Sequence, residues 1–287
     1  MRKEGMLPVP GGRIWYRAQG DGGTPLVILH GGPGATHEYL EPLRALSDER
    51  PVIFYDQLGG GRSDRPADET LWTMDRFVEE LDLLIGHLGL DVFHLLGSSW
   101  GSTLAVLYAQ QKGQSRIASM VLSGPCLSAE VWAKDAREMV KRLPAKERDA
   151  IIDCEARGDF SSPSYAEAMD LFYHRHLCRM REWPECLTRS LGNMGADVYR
   201  VMWGPSEFTV NGNMKGMDLT SFLGLLRVPT LYTCGEFDEA TSRSVRHFAD
   251  LTPGSKAIVF LGASHSHHLE KEDEYIASIR SFLRSAD

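Results

Sequence analysis

The chain has 287 residues, 43% of them hydrophobic and 24% charged, which is the balance of a folded globular protein and excludes a disordered one. Its formal net charge of −8 argues against nucleic acid or an anionic membrane as a partner. The five cysteines, Cys126, Cys154, Cys178, Cys186 and Cys234, are scattered with no CxxC pair, so neither a disulfide framework nor a zinc site is expected.

In chain order, the first segment is broken by Pro8, Pro10 and the Gly11-Gly12 pair and holds no apolar stretch suited to a secretory signal. No later run reaches the roughly 18 apolar residues of a membrane span, and a cytoplasmic location is expected. Strands are predicted at Arg13 to Ala18, Leu26 to His30, Val52 to Asp56, Val92 to Leu96, Met120 to Ser123, Thr230 to Cys234 and Ala257 to Phe260. Apolar residues at helical spacing predict helices over Met74 to Leu88, Trp100 to Gln111, Val245 to Leu251 and Tyr275 to Leu283. This alternation implies a mainly parallel sheet with helices on both faces, an α/β class.

From about Leu127 to Leu226 the alternation stops, and the segment reads as helical throughout, rich in aromatic residues such as Trp132, Tyr199 and Trp203. The strand series needs both flanks to be complete. The expected organisation is therefore one core domain, residues 1–126 and 227–287, with a helical cap, residues 127–226, inserted into it.

The stretch Gly97-Ser98-Ser99-Trp100-Gly101 lies between a predicted strand and a predicted helix and fits G-x-S-x-G, the strained elbow that presents a nucleophilic serine. A serine hydroxyl needs a base and an orienting acid, which in such a sheet follow in the order Ser, acid, His. Asp238 follows the strand of "TLYTCGEFDEAT", with Asp56 and Glu236 as rival acids. His265 stands nearest the last strand, ahead of His267 and His268. The oxyanion of an attacked carbonyl would be met by the N–H of Trp100 and by the loop His30-Gly31-Gly32-Pro33-Gly34, with Gly32 the better donor. That loop lacks the Lys and Ser/Thr of a phosphate cradle and the spacing of a dinucleotide fingerprint, so no cofactor is expected.

HGGPG, "FYDQLGGGRSDRP", GSSWGS, "GPSEFTVNG", "GEFDE" and "GASH", in this order along nearly the whole chain, resemble the proline iminopeptidase family of α/β-hydrolases, which includes L-amino acid amidases. The resemblance implies an α/β-hydrolase fold and a triad of Ser99, Asp238 and His265. It also implies a metal-independent release of an N-terminal residue, preferably proline, from small peptides or amino acid amides. Two glutamates, Glu207 in "GPSEF" and Glu239 in "FDEAT", are implied to bind the substrate's protonated amine. Family members often carry cysteine where this chain has Gly60. An esterase, lactonase or broad amidase on the same triad, and a non-catalytic binding protein on the same fold, are the alternatives.

Overall fold

The computed structural model describes residues 2–287. Eight strands form one sheet: β1 (Arg2–Val9), β2 (Gly12–Gln19), β3 (Leu26–Leu29), β4 (Val52–Tyr55), β5 (Phe93–Ser98), β6 (Ile117–Ser123), β7 (Thr230–Gly235) and β8 (Lys256–Phe260). Their order is β1-β2-β4-β3-β5-β6-β7-β8. β1 pairs antiparallel with β2 and β2 with β4, and every later pairing is parallel. The expected mainly parallel sheet is present, with an antiparallel hairpin at one edge.

The helices are α1 (Met74–Leu88), α2 (Trp100–Gln111), α3 (Ala129–Lys141), α4 (Ala145–Arg157), α5 (Pro163–His176), α6 (Glu185–Gly192), α7 (Ala196–Met202), α8 (Thr220–Leu223), α9 (Ser242–Leu251), α10 (His267–Glu270) and α11 (Glu272–Arg284). A 3-10 helix over His37–Asp48 follows β3. α1 shows how local chemistry sets the bounds. Thr73 caps its start by accepting from the Arg76 N–H, and Gly89 ends it at φ 64.

The period-two geometry of a strand divides β3 between two cores. Val27 and Leu29 join the cluster that holds Phe77 and Leu84 of α1, Leu104 of α2 and Phe248 of α9. Leu26 and Ile28 join the opposite cluster, with Leu40 and Leu43 of the 3-10 helix and Tyr275 and Ile279 of α11. Both faces of the central strands are therefore dry, and their sequences are continuously apolar.

Two expectations change. β1 was not expected, because Gly5 and Pro8 weaken its pattern; its edge position tolerates both, since only one side of the strand is paired. The segment between β6 and β7 is not helical throughout. Residues 203–219 form a loop, and a β-bridge between Ser128 and Asp218 closes the root of the segment. α3, α4 and α5 enclose a cluster of their own, including Met139, Ile151 and Phe172. Leu187 of α6 and Met202 of α7 instead join the two sheet-face clusters, tying the segment to the sheet.

The turn after β5 sets the tightest tolerance. A Cβ on Gly101 would run into the Leu29 and His30 carbonyls, which are backbone and cannot swing aside. Gly101→Ala is expected to destabilise the fold by about 2–4 kcal/mol, read as a lowered urea midpoint with an unchanged slope. An unchanged midpoint would mean that α2 can slide off β3.

Candidate active site

Ser99 stands between the end of β5 and the start of α2 at φ 54, ψ −121. It is the one non-glycine residue with positive φ among the described residues. Such a backbone costs on the order of 1–3 kcal/mol and persists only where its surroundings over-determine it. Here the Ser99 N–H donates to the Ser123 carbonyl at 2.8 Å, which ties the elbow to the end of β6. Ser98 is buried behind it.

Asp238 lies just past β7, and His265 lies in the loop between β8 and α10. Their contact, His265 Nδ1 to Asp238 Oδ1, is 2.7 Å. Asp238 also accepts from the Gly235 N–H at 3.2 Å and the Ala240 N–H at 2.8 Å. Burial opposes its charge, but the facing His265 and then His267 hold its carboxyl below the usual range. Burial pulls His265 down, and Asp238, Glu239 and Glu207 more than reverse this, raising it to about 9. Gly124, at φ 54, leaves room for the His265 ring, which a Cβ there would strike. The ring meets Trp132 edge-on, with centroids 5.7 Å apart.

The two rival histidines do different work. His268 donates from Nε2 to the Tyr39 carbonyl at 3.1 Å, and burial, then the neighbouring His267, pull it down to about 3. His267 is buried beneath Asp238. The rival acids are structural. Asp56 accepts from the His37 N–H at 2.8 Å and the Arg62 N–H at 2.9 Å, and Glu236 accepts from the Gly262 N–H at 2.9 Å.

Ser99, Trp100, Gly31, Gly32, Glu207, Glu239 and His265 all line one cavity of about 480 Å³. Among the described residues no hydrogen bond joins the Ser99 hydroxyl to His265; such contacts often tighten only around bound substrate. The Gly31 N–H is taken by the Tyr39 hydroxyl at 2.8 Å, and Gly32 follows it on the cavity wall beside Ser99. The Trp100 N–H opens α2 and has no acceptor within its own helix. The Trp100 indole donates to Gln57 Oε1 at 2.9 Å, and the Gln57 N–H donates to His30 Nε2 at 2.9 Å. The Gln57 stretch thereby braces both sides of the elbow.

Glu207 and Glu239 close the other end of the cavity. Tyr199 donates its hydroxyl to Glu207 Oε1 at 2.7 Å. Glu239 is 4% exposed, and its Oε1 is buried with no partner. Burial, then the like charge of Glu207, push Glu239 well above the usual carboxylate range, and burial raises Glu207 as well. Around them stand Trp132, Tyr173, Trp203 and Met214, which lower the polarity of this wall. Two carboxyl groups in such a wall, one with an unsatisfied oxygen, have the chemistry to accept from a cation that carries N–H donors.

A family model of the alpha/beta hydrolase fold matches residues 24–272. A proline iminopeptidase from Heyndrickxia coagulans is 46% identical over 288 residues, spanning 99% of this chain and 100% of that one. Another from Lactobacillus helveticus is 39% identical over 290 residues, spanning 99% and 98%. The crystal structure of proline iminopeptidase from Mycobacterium smegmatis superposes with a TM-score of 0.91 at 34% identity, covering 99% of this chain and 98% of that one. The chain belongs to the proline iminopeptidase family of α/β-hydrolases. Where members of this family often carry cysteine, a Cβ on Gly60 would stand 2.8 Å from the carbonyls of both Gly34 and Ala35, so a thiol here requires that loop to shift.

The packing also brings in residues that the sequence did not single out for the site: Tyr173, Met214 and Cys126 line the cavity. Glu239 provides a test of the buried charge. Its folded pKa is raised, so the stability of the protonated form is present at acid pH and lost as pH rises through the folded value. Glu239→Gln keeps the shape without the charge. Its Tm should match wild type near pH 5 and exceed it by several degrees near pH 9. A difference independent of pH would contradict a buried, like-charged pair.

Proposed function

We propose that the protein is a serine aminopeptidase that releases N-terminal proline from short peptides and amino acid amides. Residues 127–226 would act as a cap over a core of residues 1–126 and 227–287. The observation that carries this reading is the pair Glu207 and Glu239, which line the same cavity as Ser99 and His265, with Glu239 buried. An esterase has no use for two desolvated carboxyls facing its nucleophile. A protonated pyrrolidine nitrogen offers two N–H donors to two carboxylates, and the aromatic wall of Trp132, Tyr173 and Trp203 fits its ring.

The same pair ties binding to catalysis. Raised to about 9, His265 in the empty site is mostly imidazolium near neutral pH, and only its small neutral fraction is a base. A substrate ammonium seated between Glu207 and Glu239 offsets the negative charge there that helps to hold His265 up, which lowers it toward the working pH. His265 then takes the Ser99 proton as Oγ attacks the carbonyl. The Gly32 and Trp100 N–H groups receive the oxyanion, and His265 returns the proton to the leaving nitrogen. Water, deprotonated by the same base, hydrolyses the prolyl-Ser99 ester. Asp238 holds the ring through Nδ1 throughout. No metal has a role in these steps.

The relatives' name supports proline as the preferred residue. The five cysteines are unpaired, which suits the reducing cytoplasm, and no helix among the described residues is long and apolar enough to cross a membrane.

Prolyl anilide and its N-acetyl form separate the readings. The free-amine substrate should be cleaved at least about 1,000-fold more efficiently, and Ser99→Ala should abolish that activity. Glu207→Gln and Glu239→Gln should each lower kcat/KM on prolyl anilide by about 100-fold or more while sparing a neutral ester. Equal cleavage of both anilides would replace the aminopeptidase by a broad amidase or esterase. A folded protein whose Ser99 resists a fluorophosphonate would be a binder.

A further inference from the structure

His267 is completely buried, two residues beyond His265, and both of its ring nitrogens are engaged. Nε2 lies 3.0 Å from the Ser123 hydroxyl and 3.0 Å from the Thr233 hydroxyl. Nδ1 lies 3.2 Å from the Ser264 carbonyl and 3.5 Å from Asp238 Oδ2. Both neighbours of Nδ1 are oxygens that can only accept, whereas both neighbours of Nε2 are hydroxyls that can donate. The proton therefore sits on Nδ1, between the Ser264 carbonyl and the oxygen of Asp238 that His265 does not use.

Above the ring, the Tyr275 hydroxyl donates to Ser123 Oγ at 3.1 Å, and Phe260 stacks on the imidazole at 5.4 Å. The Ser123 carbonyl in turn accepts the Ser99 N–H. One polar chain thus runs from Tyr275 through Ser123 and His267 to Asp238, and its Ser123 member also holds the backbone of Ser99.

We propose that His267 is a positioning residue for catalysis: by donating from Nδ1 to Asp238 Oδ2 it fixes the carboxylate and moderates the basicity that Asp238 confers on His265. The proposal rests on the assignment of Asp238 and His265 as acid and base. Asp238 is the partner both rings share, so charge drawn toward His267 is charge withdrawn from His265. His265 also faces Glu239 from the loop after β7 and Glu207 from the loop after α7, with His268 beyond in α10. A change at 267 leaves the two glutamates untouched; of these groups only His268 borders it. His267 itself faces Asp238, His268 and Tyr275. Loss of the Nδ1 donor leaves Asp238 a stronger base, so the acid limb of His265 moves up in pH.

Two amides divide the ring's functions. Asn places its N–H₂ near the Nδ1 position, and Gln places its own near Nε2. The measurement is the rate of Ser99 phosphonylation by a fluorophosphonate against pH, which needs no peptide substrate. His267→Gln should move the acid limb up by about half a pH unit and slow the reaction at neutral pH several-fold, with prolyl anilide showing a lower kcat and an unchanged KM. His267→Asn should recover most of the rate and bring the limb back toward wild type. A limb that stays in place or moves down in His267→Gln, or one shifted equally in both variants, overturns the proposal. Absence of labelling in wild type would overturn the assignment of Ser99 instead. Should the Gln variant fail to fold, ¹⁵N spectra of histidine-labelled wild type decide the matter: the account requires His267 protonated at Nδ1 with Nε2 accepting, and a proton on Nε2 alone overturns it.

Discussion

Three carboxyl groups surround His265, Asp238 buried behind the ring and Glu239 and Glu207 on the wall of the cavity that the ring lines, and the fold must accommodate this excess of negative charge. Each group is treated differently. Asp238 is satisfied by two backbone N–H groups and two imidazoles and stays ionised. Glu207 has one tyrosine hydroxyl, and Glu239 has an oxygen with no partner at all. The graded satisfaction matches the proposed roles, in which a carboxylate fully enclosed by donors orients a base and a pair left short of donors receives a cation. Such a site is destabilising until filled, which is the usual balance between stability and function.

The sheet and the inserted helices share the task of holding it. Ser99, Asp238 and His265 all follow strand ends on the carboxyl edge, where open α/β sheets place their ligands. The insert reaches down to the same loops. The carbonyls of His176 and Leu177, at the end of α5, accept the N–H groups of His265 at 2.9 Å and Ser266 at 2.7 Å. The His176 ring donates to the Phe237 carbonyl at 2.9 Å, so one turn of the insert touches both the base loop and the acid loop. From α3, Asp135 accepts from Thr241 at 2.7 Å and from Arg243 at 2.9 Å, and also from Ser244, which fixes the start of α9 just beyond Glu239. The segment between β6 and β7 therefore braces the loops that carry Asp238 and His265.

Legibility in the sequence followed how local each cause was. The elbow could be seen because its glycines, serine, preceding strand and following helix are contiguous, and the parallel strands because burial on both faces makes them continuously apolar. The 3-10 helix over His37–Asp48 was missed, since Pro42 interrupts its spacing and its cohesion comes from contacts with β4 and α6. The work of His267 was equally hidden. His-x-His-His shows three candidates for a base, and only the fold puts one against Asp238 from the side and another from beneath. The pairing of Tyr199 with Glu207 depends on the loop after α7, which has no periodicity to read.

The central claim is that Glu207 and Glu239 together hold a proton that is released to solvent when a substrate ammonium takes its place between them. Calorimetric titration with L-prolinol, a non-hydrolysable amine, in buffers of different ionisation enthalpy near pH 8 counts the protons exchanged on binding. The account predicts net proton release, strongly reduced along with affinity in Glu239→Gln. Binding of equal strength in both proteins with no proton released would contradict it.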